Sequence, residues 1–355
     1  MRRRHQAPWA GMETVTTDME DFANRPLRIA FLGLVRSSWT ARGPALRLCQ
    51  EARPDRIEPT GIYHSDAAVA RNFAAEFGFR QVYDDPGALL DDGQFDAVVA
   101  IPTVPAVGAA MPRLFAQGRP VFLERMASMG SRCLSGLLEH ARAHQTPNMV
   151  AFNRRFTPAF LKARQWLREN VSDTPVDGFV ARDYRGYHSP TRLISAALRM
   201  APHPVGLAQD LLGSPSQIIG LQSARTRKDS PVHAGLASYR QGGTASFVIA
   251  PQAGEDLETY GILGEDYTIQ IDVVHCGLTI QQGRQVMLSW TAPLDSPPAF
   301  RGGALGQTEA FLGAVREGRP MSPDLAESVM ILKTAEALIA GGQTDFPADA
   351  TGPSA

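Results

Sequence analysis

The chain has 355 residues, 44% hydrophobic and 20% charged, which supplies packed cores and excludes a disordered chain. A formal net charge of −1 gives no global pull on nucleic acid. No apolar run approaches the ~18 residues of a membrane span. Three scattered cysteines, Cys49, Cys133 and Cys276, form neither a disulfide framework nor a zinc pattern, so a cytoplasmic protein without a metal site is expected.

Residues 1–26 are polar and aperiodic and read as a flexible extension; their basic start lacks the apolar segment of a secretory signal. LRIAFLG (27–33) is a short apolar run closed by glycine, hence a buried strand. A helical pattern covers 45–52, a second strand 57–65, and a helix 67–78 closed by Gly78. FDAVVAIPT (95–103) is a third strand, followed by a helix at 107–117 and a fourth strand at 119–125. A helix at 135–144 and a strand at 148–156 complete this half. Strands alternating with helices predict right-handed crossovers, so an α/β Rossmann-like, doubly wound parallel sheet is expected over 27–150.

The second half changes rhythm. After a helix at 158–169, stretches at 176–186, 216–224, 233–250, 256–272 and 286–290 read as antiparallel strands, some separated by QGG and GED turns. Amphipathic helices follow at 308–318 and 325–342. This predicts a C-terminal α+β domain over 151–342 with a mainly antiparallel open sheet, then a flexible tail at 343–355.

Only three of the 35 basic residues are lysine: Lys162, Lys228 and Lys333. Lysine can lose its proton in a protein and arginine does not, so lysine base chemistry has three candidates, none in a motif.

The order of segments resembles the glucose-fructose oxidoreductase / inositol dehydrogenase / MocA (Gfo/Idh/MocA) family. FDAVVAIPT, AQGRPVFLERM and MVAFNRRFTPAF match its strand, its helix ending in Ala-x-Gly, its Glu-Lys-Pro strand and its Gly-x-Asn-x-Arg-Phe segment. The helix through Phe73–Gly78, DLLGSP (210–215) and VREGRPMSPDLAESVMILKTAEAL also fit, so the resemblance covers roughly 27–342. It implies a nicotinamide cofactor, NADP or NAD, and a small polar, sugar-like or carbonyl/carboxylate substrate. It also implies a homodimer or homotetramer paired through the C-terminal sheet.

Residue by residue, the family pattern is altered. The phosphate-binding loop maps to Gly33, Leu34, Val35, Arg36, Ser37 and Ser38. Gly33 fills the first fingerprint position, but Val35 and Ser38 replace the other two glycines, and their side chains are expected to crowd the phosphate path. His64, with Ser65, stands where an acid usually bonds the ribose, which suits a 2′-phosphate or no nucleotide. Asp66 is expected to cap the next helix. Pro102 and Thr103 match the nicotinamide side, with Val104 and Val107 in place of polar contacts. Glu124 is kept, and Arg125 replaces the family lysine, as a group that anchors or polarises but shuttles protons poorly.

The family's catalytic histidine maps to His203, and its aspartate to Arg199. Pro202 and Pro204 predict a late start or bend in that helix. With Arg125 and Arg199 nearby, like charge would favour a neutral His203, suited to a general base. Asn153, Arg155, Tyr184, Tyr187 and His188 complete the expected rim, the last three from RDYRGYHSPTR. Three functions stay open: an oxidoreductase with an altered site in specialised metabolism, a redox-neutral lyase, dehydratase, isomerase or cyclase on the same scaffold, and a non-catalytic binding or regulatory homologue.

Overall fold

In the computed structural model, which describes residues 25–124, 129–171, 176–186, 193–223 and 231–347, the apolar runs of the first half become central strands. They are β1 (Leu27–Leu32), β2 (Ile57–Tyr63), β3 (Gln81–Tyr83), β4 (Ala97–Ala100), β5 (Val121–Leu123) and β6 (Asn148–Val150). All pair in parallel, in the order β3-β2-β1-β4-β5-β6. Every residue of β4 and β5 is buried, as expected of strands covered by helices on both faces. One face packs on the aromatic group of Phe31, Phe73, Phe77 and Phe79, joined by Phe311 from a helix late in the chain. Asp66 caps the helix Ala67–Phe77, accepting from Ala68 and Val69 N–H, and Gly78 ends it at φ +77°.

The second sheet has nine strands: β7 (Gly178–Gly186), β8 (Pro215–Gln222), β9 (His233–Tyr239), β10 (Thr244–Ala250), β11 (Gln252–Gly264), β12 (Tyr267–Asp272), β13 (Gly277–Gln282), β14 (Gln285–Thr291) and β15 (Gly342–Asp345). Their order is β14-β13-β12-β11-β7-β10-β9-β8-β15. Pairing is antiparallel except for β7 with β10. The helices Pro158–Asn170, Pro202–Leu212 and Leu325–Ala340 pack on its inner face through Ala163, Leu207 and Leu338. The expected fold class is therefore observed.

Several boundaries differ from the sequence reading. β3 and the helix Pro86–Asp92 were not anticipated, because three residues of strand carry no measurable alternation. β13 was also missed. The chain from 343 is not all loose tail: Gln343–Asp345 pair with β8 at the sheet edge. At the other end, Arg25 Nη1 lies 2.7 Å from Asp96 Oδ2, beside the Arg28–Asp96 pair, so the fold begins before 27. Residues 1–24 of the expected extension lie outside the described residues.

The helix that carries His203 starts at Pro202, the late start that its prolines predict. The helices Leu193–Met200 and Pro202–Leu212 abut at Ala201, which keeps right-handed helical angles (φ −53°, ψ −37°). Pro202 and Pro204 lack the N–H groups that would bridge the junction.

Candidate active site

The four-residue 3₁₀ turn Asn153–Phe156 leaves the end of β6 and organises the junction between the two sheets. At three residues per turn its neighbours point about 120° apart. Arg154 therefore reaches the second sheet while Arg155 reaches a helix. Arg154 grips Glu258 in a bidentate pair, Nε–Oε1 2.6 Å and Nη2–Oε2 2.8 Å. Arg155, 2% exposed, donates to Gly206 O at 3.0 and 2.8 Å, and its Nη1 lies 2.5 Å from Glu327 Oε1. Gly206 lies one turn beyond His203 on the helix Pro202–Leu212. The Arg154–Arg155 step thus ties the first sheet to the strand that carries Glu258 and to the helix that carries His203.

Glu258 faces Asp183 directly across the β7–β11 ladder, and both are 1% exposed. Strand alternation places Arg185 on the same face as Asp183, and Tyr260 on the same face as Glu258. Arg185 Nε lies 2.9 Å from Asp183 Oδ1, and its Nη2 pairs with Glu258. The Tyr260 hydroxyl donates to Glu258 Oε1. Burial would push the Glu258 carboxyl up, but the charge and hydrogen bonds of Arg154, then the charge of Arg185, bring it down to about 2. For Asp183, burial and then the negative charge of Glu258 outweigh the arginines and push it up to about 7. Burial and the Glu258 charge also push the Tyr260 phenol far up. The cluster is thus two guanidiniums, one firm carboxylate and one carboxyl that holds its proton up to neutral pH.

His203 lies within electrostatic reach of Glu258. Its ring meets Phe152 edge-on, with centroids 6.4 Å apart, two residues before Arg154. Its charge is one of the influences that favour the Glu258 carboxylate. The sequence reading, which set Arg125 and Arg199 near His203, did not foresee this carboxylate. Arg199 is exposed on the preceding helix.

Other expected rim residues fall elsewhere. Tyr184 shares strand parity with Arg182, which lies on the outer face of the sheet, so it stands opposite Asp183 rather than beside His203. Arg155 is occupied by Gly206 and Glu327, which corrects its assignment to substrate. Asn153 donates its amide to Gly302 O. It thereby fastens the 3₁₀ turn to Gly303, whose φ of +81° and close approach to the Asn153 carbonyl leave no room for a side chain. Arg125, Tyr187 and His188 lie outside the described residues.

At the cofactor end, Gly33 ends β1 at φ +88° and donates to Tyr63 O at 2.9 Å. β1 lies between β2 and β4, where the strand order reverses, and open α/β sheets bind ligands at such a point. Ser38 is 1% exposed and turned into the loop, where its Oγ accepts the Val35 N–H at 3.1 Å. Its hydroxyl therefore points into the loop rather than outward, contrary to expectation. Leu34 is buried, Val35 and Ser37 are half-buried, and Arg36 is exposed. His64 Nδ1 accepts the Asp66 N–H at 3.0 Å, and Ser65 is exposed. Pro102 and Thr103 are half-buried, while Val107 is fully buried.

Glu124, expected at the cofactor, is instead buried against Arg42, with Arg42 Nε 2.7 Å from Oε1. Arg42 ends the π-helical turn Ser38–Arg42, stacks 4.0 Å over the Phe122 ring and donates to Thr308 Oγ1 at 2.8 Å. Sequence reasoning missed the Arg42, Arg154 and Asp183–Glu258 interactions. The recoverable signal was polar residues at inward parity, Asp183 with Arg185 and Glu258 with Tyr260. Among the described residues no group of three His, Cys, Asp or Glu could hold a metal, and no helix is long and apolar enough to cross a membrane.

The fold is a two-sheet arrangement, with a Rossmann-like parallel sheet leading into a mainly antiparallel one. No family model matches the chain. It is 27% identical over 180 residues to inositol 2-dehydrogenase of Acidothermus cellulolyticus, covering 50% of this chain and 52% of that protein. The alignment thus spans about half the length of that curated relative. Among solved structures it resembles a dehydrogenase from Chromobacterium violaceum, with TM-score 0.73 and 17% identity over 89% of this chain and 95% of that one. It also resembles levoglucosan dehydrogenase in complex with NADH, with TM-score 0.74 and 16% identity over 91% of this chain and 100% of that one. Relatives and fold agree with the likeness of the motif order to the Gfo/Idh/MocA family.

Proposed function

We propose that this protein is a nicotinamide-dependent oxidoreductase acting on a small, sugar-like polar substrate, with an altered proton-transfer site. The observation that supports it most is Gly33, left-handed at the end of β1, beside a strand-order reversal and a loop whose Ser38 is folded inward. The likeness to inositol 2-dehydrogenase and to levoglucosan dehydrogenase in complex with NADH supports the same class.

In this reading the loop from Gly33 to Ser38 holds the phosphates, and His64 with Ser65 flanks the adenosine ribose. Pro102 and Thr103 border the nicotinamide side. A bound nicotinamide supplies hydride exchange. Oxidising a secondary alcohol also releases the hydroxyl proton, and His203 takes it. His203 Nδ1 is buried, and in this reading Nε2 faces the substrate. Arg125 orients the oxygen by charge and hydrogen bonding and moves no proton. Titrating the purified protein with NADPH and NADH by fluorescence tests the reading. Saturable binding of either supports it, and binding of neither at millimolar concentration overturns it.

A redox-neutral reaction on the same scaffold is the second reading. It is favoured by the Val35 N–H being used within the loop and by valines at 104 and 107. Turnover of a sugar-like substrate without any nicotinamide would select it.

We also propose self-association through the open face of the second sheet, where Leu221 and Leu236 are 65% and 62% exposed. Light scattering showing a monomer at micromolar concentration would remove it.

A further inference from the structure

We propose that the buried Arg42–Glu124 ion pair is a positioning strut, which holds the loop Gly33–Ser38 in its folded shape against the end of β5. Through that shape it governs dinucleotide affinity, a consequence that rests on the reading of the loop as the phosphate-binding one.

The sheet register sets the two sides of the strut on one edge. Leu32, Ala100 and Leu123 form a single cross-strand row of β1, β4 and β5. Gly33 and Glu124 are the next residues along their strands, so they leave that row two strands, or about 10 Å, apart. The Glu124 N–H still donates to Ala100 O at 2.9 Å, which keeps its backbone on the sheet, as the Gly33 N–H does to Tyr63 O. The strand-order reversal between β1 and β4 lies between them.

The loop itself is short and closed. Val35 N–H donates to Ser38 Oγ at 3.1 Å, and Ser38 N–H to Val35 O at 2.8 Å. From Ser38 the chain runs directly into the π-helical turn Ser38–Arg42, a rare geometry found mostly at functional positions. Arg42 closes that turn and is held on three sides. Its Nε lies 2.7 Å from Glu124 Oε1, its Nη1 donates to Thr308 Oγ1 at 2.8 Å and Ala304 O at 3.4 Å, and its plane lies 4.0 Å over the Phe122 ring. At 4% and 6% exposed, Arg42 and Glu124 are shut away from any ligand, so they act through the backbone they hold. Apolar residues of similar volume would stabilise such a site as well or better, so what the ion pair adds is position. Glu124 is also the residue from which the chain continues to Arg125, so one strut fixes both sides of the crevice.

The test begins with ligand-free protein. Hydrogen exchange read by mass spectrometry compares wild type, Glu124→Gln and the double variant Arg42→Met/Glu124→Leu, whose apolar pair restores stability without the charged fork. In both variants the amides of 33–41 should exchange about tenfold faster, while β9 and β10 of the second sheet stay as protected as in wild type. Fluorescence titration should then show NADPH and NADH affinity lowered about tenfold, the scale of one lost hydrogen bond to a charged group. A purely stabilising role predicts instead that protection and affinity return with stability in the double variant. Wild-type protection of 33–41 there overturns the proposal, as does undiminished affinity where wild type binds. If the double variant does not fold, Glu124→Gln, which keeps the shape, decides by the same two measurements. Faster exchange in the variants, with neither dinucleotide bound by wild type, keeps the strut and removes the nicotinamide reading.

Discussion

Glu258 stands across the β7–β11 ladder from Asp183, both buried, and the two carboxyls are driven in opposite directions, to about 2 and about 7. Arg154 makes the difference. It engages both oxygens of Glu258 and neither oxygen of Asp183, so one carboxyl is a permanent anion and the other keeps its proton.

That asymmetry predicts a pH-dependent stability. The folded value of Asp183 lies above the ordinary 3.8, so between about pH 4 and 7 the folded state binds a proton that the unfolded chain releases. This contribution is fully present below pH 4 and is lost as pH rises through 7. Asp183→Asn mimics the protonated form and should gain on wild type as pH rises, by about 1–3 kcal/mol at pH 8 relative to pH 4. Urea unfolding at the two pH values measures it. A variant that loses ground with rising pH would contradict the assignment.

The Arg42–Glu124 pair should behave as a buried ion pair. Glu124→Leu alone leaves the guanidinium uncompensated and should cost about 3–5 kcal/mol. Replacing both with Met and Leu should recover most of that loss, because the Phe122 and Phe311 surroundings accept apolar groups. Thermal unfolding of the two single variants and the double variant measures the coupling. Strictly additive losses would show that the pair is not a unit.

Cofactor choice follows from His64. Without an acid at the end of β2, NADPH should bind more tightly than NADH. His64→Asp should reverse the order by repelling the 2′-phosphate. Competitive fluorescence titration gives both ratios, and tighter NADH binding by wild type would refute the preference.

His203→Ala should lower turnover of an identified sugar or polyol by roughly 10²–10⁴ with little change in NADPH affinity. Arg125→Lys restores the family residue. It should preserve or raise turnover if position 125 serves hydride chemistry, and weaken substrate binding if arginine grips a carboxylate in bidentate fashion. Steady-state kinetics separates the two through kcat and KM.

Local pattern determined much of this protein. Uniformly apolar β4 and β5, with β1 apolar but for Arg28, and their alternation with helices required a parallel sheet covered on both faces, because such strands leave no side to water. Asp66 capped its helix and Gly78 ended another turn of it by local backbone chemistry alone. The same motifs led to the crevice at Gly33 and to His203 as the histidine near the junction. Only tertiary structure decided which polar residues are functional candidates and which are struts. Arg154 and Arg155 are adjacent and chemically identical, yet a 3₁₀ turn sends one to a carboxylate and the other to a helix carbonyl. Glu124 and Arg42 meet across 82 residues, and Asp183 and Glu258 across a strand register that no local window contains. A buried charge takes its properties from partners distant in sequence, and those partners exist only once the sheets and helices have packed.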